Sequence, residues 1–172
     1  MILYIDGNDV IETLRHMRDP IFVPGDRMKS RHYLTRWLAR YAELQGCDVI
    51  CIFDENPVGQ PLPPTERYGR VRVVNLEPGA DVFHEIAGPA NRAAHGQETI
   101  VVSDDVRLMR ALQRGKAHLT PAADFVERIK TQMRGEEAEK ADEPDEKFSG
   151  LSRQEVDTWL DFFKDKKRGG TP

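Results

Sequence analysis

The sequence predicts an α/β fold, with a doubly wound, mainly parallel sheet and a C-terminal tail helix. Three short apolar runs, residues 1–5, 49–53 and 99–102, carry this prediction. Each run is too short for a helix and rich in β-forming residues, which is typical of strands buried on both faces of a parallel sheet. Helical patterns separate the runs, and strands that alternate with helices in this way indicate βαβ units.

The segments between these runs supply the other elements. Helices are expected at about residues 9–18, 27–45, from 80 onward, at 106–113 and at 121–134. The second of them carries apolar residues at helical spacing and stops at Gly46. Residues 56–68 contain four prolines and are expected to form a long loop. Arg70–Leu76 alternates basic and apolar residues, as an exposed edge strand does, and a short strand is expected at 117–119.

Charge divides the chain into three predicted regions. The net charge is −4, yet residues 136–147 alone hold seven acids and two lysines. We therefore expect a domain at 1–134, an acidic flexible linker at 135–150 and an amphipathic helix at 151–168. That helix starts with a capping box at Ser152, and its apolar face is expected to dock on the domain or on a protein partner.

Cysteine usage and hydropathy indicate a cytoplasmic protein. Cys47 and Cys51 fall on one strand pattern, roughly 13 Å apart at ~3.3 Å per residue, which is too far for a disulfide. They are expected to be core residues. No apolar stretch is long enough to cross a membrane, and we expect neither a signal peptide nor a membrane-spanning segment.

Acidic residues end all three of the apolar runs. Asp6 and Asp54 follow the first two directly, and Ser103-Asp104-Asp105 follows the third. In an open α/β sheet, ligands bind outside the carboxyl ends of the strands. With the first strand in the centre, Asp6, Asp54 and Asp104 should share one crevice, which Asp81 can reach from the start of the third crossover helix.

Such a cluster of carboxylates needs compensation. Several ionised carboxylates in one empty site repel one another, and a hard divalent cation removes that repulsion. An all-oxygen set of donors favours Mg²⁺ or Mn²⁺, and the chemistry these ions serve is phosphoryl transfer. The competing explanation is that each aspartate caps a helix, which is the commoner role for any single one of them.

Several motifs resemble a known family. They are Ile5-Asp6-Gly7-Asn8-Asp9-Val10-Ile11, Ile52-Phe53-Asp54, Gly79-Ala80-Asp81, Val101-Val102-Ser103-Asp104-Asp105, Gly115-Lys116-Ala117 and Phe125-Val126 with Ile129. In order and spacing they resemble the NYN-domain family, in its YacP-like branch, within the PIN-like ribonucleases. The resemblance covers roughly residues 1–130, and residues 151–163 also resemble an extension found in some bacterial members.

The resemblance implies a metal-dependent endoribonuclease with a PIN-like fold. Asp6, Asp54, Asp81 and Asp104 stand at the acidic positions of the family and would be both catalytic residues and metal ligands. The family commonly reads Asp-Gly-x-Asn, whereas this chain has Asp9 where that asparagine would stand. Asp9 would then add a fifth acid to the site or change its affinity for the metal.

Other side chains would support this site. Asn8, Asp9, Ser103 and Asp105 are expected beside the ligands, where Asn8 and Ser103 would hydrogen-bond a carboxylate or a phosphate. Candidates for contact with the RNA backbone are Arg36, Arg40, Arg67, Arg70 and Arg72. A basic stripe on a helix is, however, more often a solvated face.

Two further functions remain open from the sequence. The first is a non-catalytic RNA- or ribosome-binding adaptor that has kept the fold. The second is a phosphohydrolase that uses Asp6 or Asp54 as its nucleophile. Against the second, the residue two places after Asp6 is Asn8, not the general acid of an Asp-x-Asp phosphatase.

Overall fold

Six strands and five helices form the described part of the chain. The computed structural model describes residues 1–54, 62–92, 98–113 and 115–142, with side chains up to residue 134. The strands are β1 (Ile2–Asp6), β2 (Asp48–Phe53), β3 (Thr65–Tyr68), β4 (Val71–Asn75), β5 (Thr99–Val102) and β6 (His118–Thr120). The helices are α1 (Gly7–His16), α2 (Arg27–Gln45), α3 (Val82–Asn91), α4 (Val106–Leu112) and α5 (Ala122–Asp142).

The sheet has the strand order β3-β4-β2-β1-β5-β6. Every neighbouring pair is parallel except β3 and β4, which are antiparallel. Leu3 of β1 lies opposite Val49 on one side and Ile100 on the other. The predicted α/β class is confirmed, and so is the central place of the first strand between the two other acid-ended strands.

Apolar side chains fill both faces of the sheet, as the continuous apolar runs predicted. On one face, Leu3 and Ile5 pack with Leu38 of α2 and Phe125 of α5. On the other face, Ile50 and Ile52 pack with residues of α3 and α4. Burial of each large apolar side chain is worth roughly 1.5–3 kcal/mol, so the two layers hold the strand ends in a fixed register.

Helix α2 begins and ends where its sequence predicts. The Asp26 side chain accepts a hydrogen bond from the Lys29 N–H at 2.9 Å and so caps the first turn. Gly46 ends the helix with a φ of 59°, a left-handed conformation that glycine adopts without strain.

The edge of the sheet differs from the prediction. Arg70–Leu76 was expected to form an exposed edge strand, but β4 lies between β2 and β3. The edge strand on this side of the sheet is β3, at the end of the proline-containing segment expected to be a loop. Gly69, with a φ of 57°, lets the two strands form a tight hairpin. The alternation in β4 arises because Val71 and Val73 are buried while Arg72 is exposed.

The chain divides into two compact units near residue 134. Residues 1–134 form one compact unit and residues 135–172 a second. Helix α5 continues to Asp142, past the predicted end at residue 134 and into the segment expected to be a linker. The predicted helix at 151–168 and most of the linker lie outside the described residues, so both remain predictions.

Two smaller expectations concern cysteines and membranes. Cys47 and Cys51 are free and buried, which confirms their assignment to the core. None of the helices in the described segments is long and apolar enough to cross a membrane.

A candidate acidic site at the ends of the central strands

Asp6 joins the central strand to the first helix. It ends β1, is only 8% exposed, and its Oδ1 accepts hydrogen bonds from the backbone N–H groups of Asn8 at 3.0 Å and Asp9 at 3.2 Å. The carboxylate therefore caps α1, as the alternative explanation for strand-end aspartates predicted. Gly7 follows at a point of close contact, where an added Cβ would lie 2.2 Å from Cε1 of Phe53. Only glycine lets α1 start this close to β2.

Asn8 connects Asp6 to the neighbouring strand end. Its side-chain Nδ2 donates a hydrogen bond to Oδ1 of Asp54, the residue directly after β2. Because β1 and β2 are parallel and in register from Ile2 to Asp6, their two terminal acids meet at the same edge of the sheet. The amide of Asn8 fixes the orientation of the second acid relative to the first.

Asp9 connects the same corner to β5. Its Oδ2 accepts a hydrogen bond from the Ser103 hydroxyl at 2.7 Å and another from the Asp104 backbone N–H at 2.8 Å. Ser103 is buried, and its Oγ in turn accepts a hydrogen bond from the Asp105 N–H at 3.1 Å. Asp9 thus takes part in holding the β5 end beside the β1 end, in addition to contributing charge.

The acids at this corner are under electrostatic strain. Burial, in the first place, raises the pKa of Asp6 to about 7, with further contributions from the charges of Asp9 and Asp54. Within the described residues, no ion pair joins any of these three carboxylates to a lysine or arginine. We call Asp6, Asp9 and Asp54 the acidic site.

Asp104 is engaged elsewhere. It is exposed, and its Oδ1 accepts a hydrogen bond from the Ala122 N–H at 3.0 Å, at the start of α5. Its backbone reaches the acidic site through Asp9, but its side chain acts as a helix cap.

Asp81 also lies in a different environment. Its carboxylate caps α3 through the Phe83 N–H at 3.0 Å and receives two hydrogen bonds from Arg107, at 2.6 and 3.0 Å. Arg107 also pairs with Asp105 at 2.6 Å. The hydrogen bonds from Arg107 lower the pKa of both Asp81 and Asp105. We call Asp81, Asp105 and Arg107 the neutralised corner.

The acidic site has the donor chemistry that a hard divalent cation requires. Asp6 and Asp54 offer carboxylate oxygens, and their uncompensated charge favours binding of a cation. No group of three histidine, cysteine or acidic side chains among the described residues is already arranged around a metal position. Mg²⁺ usually binds through one or two carboxylates and keeps several waters, so two neighbouring carboxylates fit its needs.

The arginines predicted to bind RNA lie on different surfaces. Arg36 and Arg40 lie on α2, which covers the Val71 and Val73 face of the sheet. Arg72 alternates with those valines and is directed to the opposite face, where Arg67 lies across from it on β3. Arg70 forms an exposed ion pair with Asp48 at 3.1 Å. The five arginines therefore do not form one continuous basic surface.

A buried arginine beside the acidic site was missed by the sequence analysis. Arg31 is 6% exposed, its guanidinium lies 4.0 Å from the Phe53 ring centroid, and it donates a hydrogen bond to Oδ1 of Asn75. The signal was present, because Arg31 shares the helical spacing of the buried residues Leu34 and Leu38.

Comparison with known proteins agrees with this architecture. The family model described as the YacP-like NYN domain matches residues 3–164. The crystal structure of Rae1 (YacP) from Bacillus subtilis superposes with a TM-score of 0.63 at 18% identity, covering 98% of this chain and 95% of that one. A mutant of the same protein gives 0.64 at 20% identity over 80% and 79% of the two chains. No curated protein sequence matches the chain. Since the family model spans most of its length, the chain belongs to the family of YacP-like NYN domains.

Proposed function

We propose that the protein is a metal-dependent endoribonuclease that hydrolyses RNA phosphodiester bonds at the acidic site. The observation that carries the proposal is the buried Asp6 beside Asp54 and Asp9, with its pKa raised to about 7 and no ion pair to a lysine or arginine of the described segments. An exposed aspartate would cap the helix without the burial penalty, and carboxylates with strongly raised pKa values cluster at functional sites. Membership in the YacP-like NYN family supports RNA as the substrate.

Different residues would bind the metal ion and orient its ligands. Asp6 and Asp54 would hold Mg²⁺ or Mn²⁺, with Asp9 close enough to add its charge. A bound divalent cation supplies positive charge that activates water and stabilises the leaving oxygen. Asn8 keeps Asp54 oriented through its side-chain amide, and Ser103 keeps Asp9 oriented through its hydroxyl.

The roles of Asp81 and Asp104 remain predictions from the sequence. Either carboxylate would have to leave its present partner, Arg107 or the Ala122 N–H, to reach a shared ion. Asp81 would lose two hydrogen bonds from Arg107, whereas Asp104 would lose one from the Ala122 N–H. We therefore place Asp6 and Asp54 at the centre of the proposed site and Asp81 and Asp104 at its margin.

A non-catalytic RNA-binding adaptor is the second candidate. The observation in its favour is that the described residues contain no preformed group of three potential metal ligands. Such a protein would bind RNA, alone or on the ribosome, without cutting it.

The deciding experiment is incubation of the purified chain with labelled RNAs, in Mn²⁺ or in chelator. The proposal expects internal cuts that leave 5′-phosphate and 3′-hydroxyl ends, in Mn²⁺ only. Asp6→Asn keeps an oxygen acceptor at the helix cap and serves as the matched inactive control. Binding without cleavage under all metal conditions would favour the adaptor, and 2′,3′-cyclic phosphate products would exclude metal-assisted attack by water.

A further inference from the structure

A small pocket adjoins the acidic site on the side of α1 and α2. It is partly open to solvent, and its described lining residues are Asn8, Ile11, Glu12, Arg27 and Arg31. Asn8 is shared with the acidic site, where its amide holds Asp54. Any ligand group in the pocket would therefore lie one side chain away from the proposed point of cleavage.

The polar lining of this pocket suits an anion. Two of its residues carry guanidinium groups, which match the oxygens of a phosphate in geometry and charge. Among the described lining residues the one acid is Glu12, which is hydrogen-bonded to Arg15, with Nε at 2.8 Å from Oε2. A phosphate can reach the pocket with two of its oxygens and leave the rest exposed.

The two arginines differ in a way that suits a binding site. Arg31 is buried and held in place by the Phe53 ring and by Asn75, so its guanidinium is positioned before any ligand arrives. Arg27 is exposed in the first turn of α2. A cation that is already positioned binds an anion at a lower entropic cost than a flexible side chain does.

Resting on the proposed function, we propose that Arg27 and Arg31 bind the RNA phosphate next to the one that is cleaved. The acidic site repels the RNA backbone unless a cation is present, and this pair of arginines offsets that repulsion on one side. The RNA strand would then pass over the start of α2, not along the Arg36 and Arg40 stripe further down that helix.

The test is a salt series of RNA binding with the full chain. In the Asp6→Asn background, which removes cleavage, the dissociation constant of a short single-stranded oligoribonucleotide is measured from about 50 to 200 mM salt. Loss of one phosphate contact lowers the slope of log K against log salt by about 0.7. Arg27→Gln should show that decrease and weaken binding several-fold, whereas Arg110→Gln, an equal charge change on α4, should not.

A variant that is expected to tighten RNA binding makes the test specific. Glu12→Gln should tighten binding, because it removes a negative charge that lines the pocket, and Glu43→Gln, which changes an exposed acid near the other end of α2, should not. A folding defect would not produce tighter binding. Arg31→Lys keeps the charge without the planar stack and is expected to weaken binding less than Arg31→Met.

Cleavage kinetics of the otherwise wild-type chain separate this proposal from the proposed function. Arg27→Gln should raise KM and leave kcat unchanged, since the contact is the same in the ground and transition states. If Arg27→Gln and Arg110→Gln give the same affinity and slope while wild type cleaves RNA, the pocket is not a phosphate site and the nuclease stands. If wild type never cleaves but Arg27→Gln still lowers affinity and slope, the nuclease proposal fails and the phosphate contact remains as RNA binding alone.

Discussion

The acidic site and the neutralised corner are built from the same residue type in opposite electrostatic states. Asp6 is buried next to two other acids, and its pKa is raised to about 7. Asp81 is far more exposed and is bonded to Arg107, which lowers its pKa. Both side chains cap helices, so capping does not distinguish them. They differ in the positive charge beside them. Arg107 neutralises Asp81, whereas no lysine or arginine of the described segments pairs with Asp6, so of the two regions the acidic site is the one suited to a metal ion.

The largest expected difference between the two regions is in the response to metal. Mn²⁺ should raise the melting temperature, since it binds a site that the unfolded chain lacks. At 100 times its dissociation constant this is worth about 2.7 kcal/mol. Asp6→Asn should abolish both RNA cleavage and most of the melting shift. Asp81→Asn should keep most of the shift, because its carboxylate is already paired with Arg107.

Melting curves of the three proteins in Mn²⁺ and in chelator decide this point. Equal loss of the shift in Asp6→Asn and Asp81→Asn would place both acids on the same ion, as the sequence alone suggested. Equal destabilisation of Asp6→Asn with and without metal would make Asp6 a cap and nothing more.

The pH dependence of stability should also differ in sign between the two regions. The folded pKa of Asp6, about 7, lies above its ordinary value of 3.8. Its stabilising contribution in chelator is therefore complete below pH ~4 and lost as the pH rises towards 7, at ~1.4 kcal/mol for each unit of pKa difference. Asp81 and Asp105, with lowered pKa values, contribute stability above their unfolded pKa and lose it as the pH falls through the folded one.

Urea denaturation in chelator across this range measures the Asp6 contribution as a difference. Asp6→Asn retains the acceptor oxygen of the cap but cannot ionise, so its stability relative to wild type should increase from pH 4 to pH 8. A difference that stays constant over that range would contradict the raised pKa of Asp6.

The stability cost of an added methyl group should also differ between the acidic site and helix α3. Gly7→Ala would place a methyl group against the Phe53 ring. The Arg31 guanidinium packs over the same ring, 4.0 Å from its centroid. Overpacking of this kind costs about 1–3 kcal/mol, and Gly7→Ala should also weaken Mn²⁺ binding by shifting Asp6 and Asn8. Gly88→Ala in α3 is the matched control, because its Cβ would meet only the flexible end of the Arg92 side chain, at 3.1 Å. Thermal melts that show equal losses for the two variants would rule out a special role for the Gly7 contact.

The sequence predicted the central strands of the sheet better than the pairing of the aspartates at their ends. The three apolar runs predict that β1, β2 and β5 lie inside the sheet, as they do, because parallel strands buried on both faces are nearly continuous in hydrophobicity. The same signal fails at β3, which is short, exposed and preceded by prolines. Strand-end acids predict where carboxylates meet but not which of them are neutralised. Arg107 is distant in sequence from Asp81, and Arg31 reaches Phe53 and Asn75 only through the packing of α2 on the sheet.

Asp9 offers the smallest and most specific change within the acidic site. Both of its hydrogen bonds, from the Ser103 hydroxyl and the Asp104 N–H, go to the single oxygen Oδ2. The amide oxygen of an asparagine can accept both, so Asp9→Asn should keep the link to β5 while removing one charge. That charge is the largest contribution after burial to the raised pKa of Asp6. Asp9→Asn should therefore lower the pKa of Asp6 and stabilise the metal-free protein at neutral pH.

The gain should be smaller than that of Asp6→Asn, because an acid in the first turn of α1 is itself worth about 0.3–1 kcal/mol. Mn²⁺ affinity should fall modestly, since the ion loses one nearby negative charge but keeps Asp6 and Asp54. Asp9→Ala is the control: it removes the charge and both hydrogen bonds, and it should destabilise the protein with and without metal. If Asp9→Asn loses as much stability in chelator as Asp9→Ala, the carboxylate serves the fold through its bonds and its charge does not set the state of Asp6.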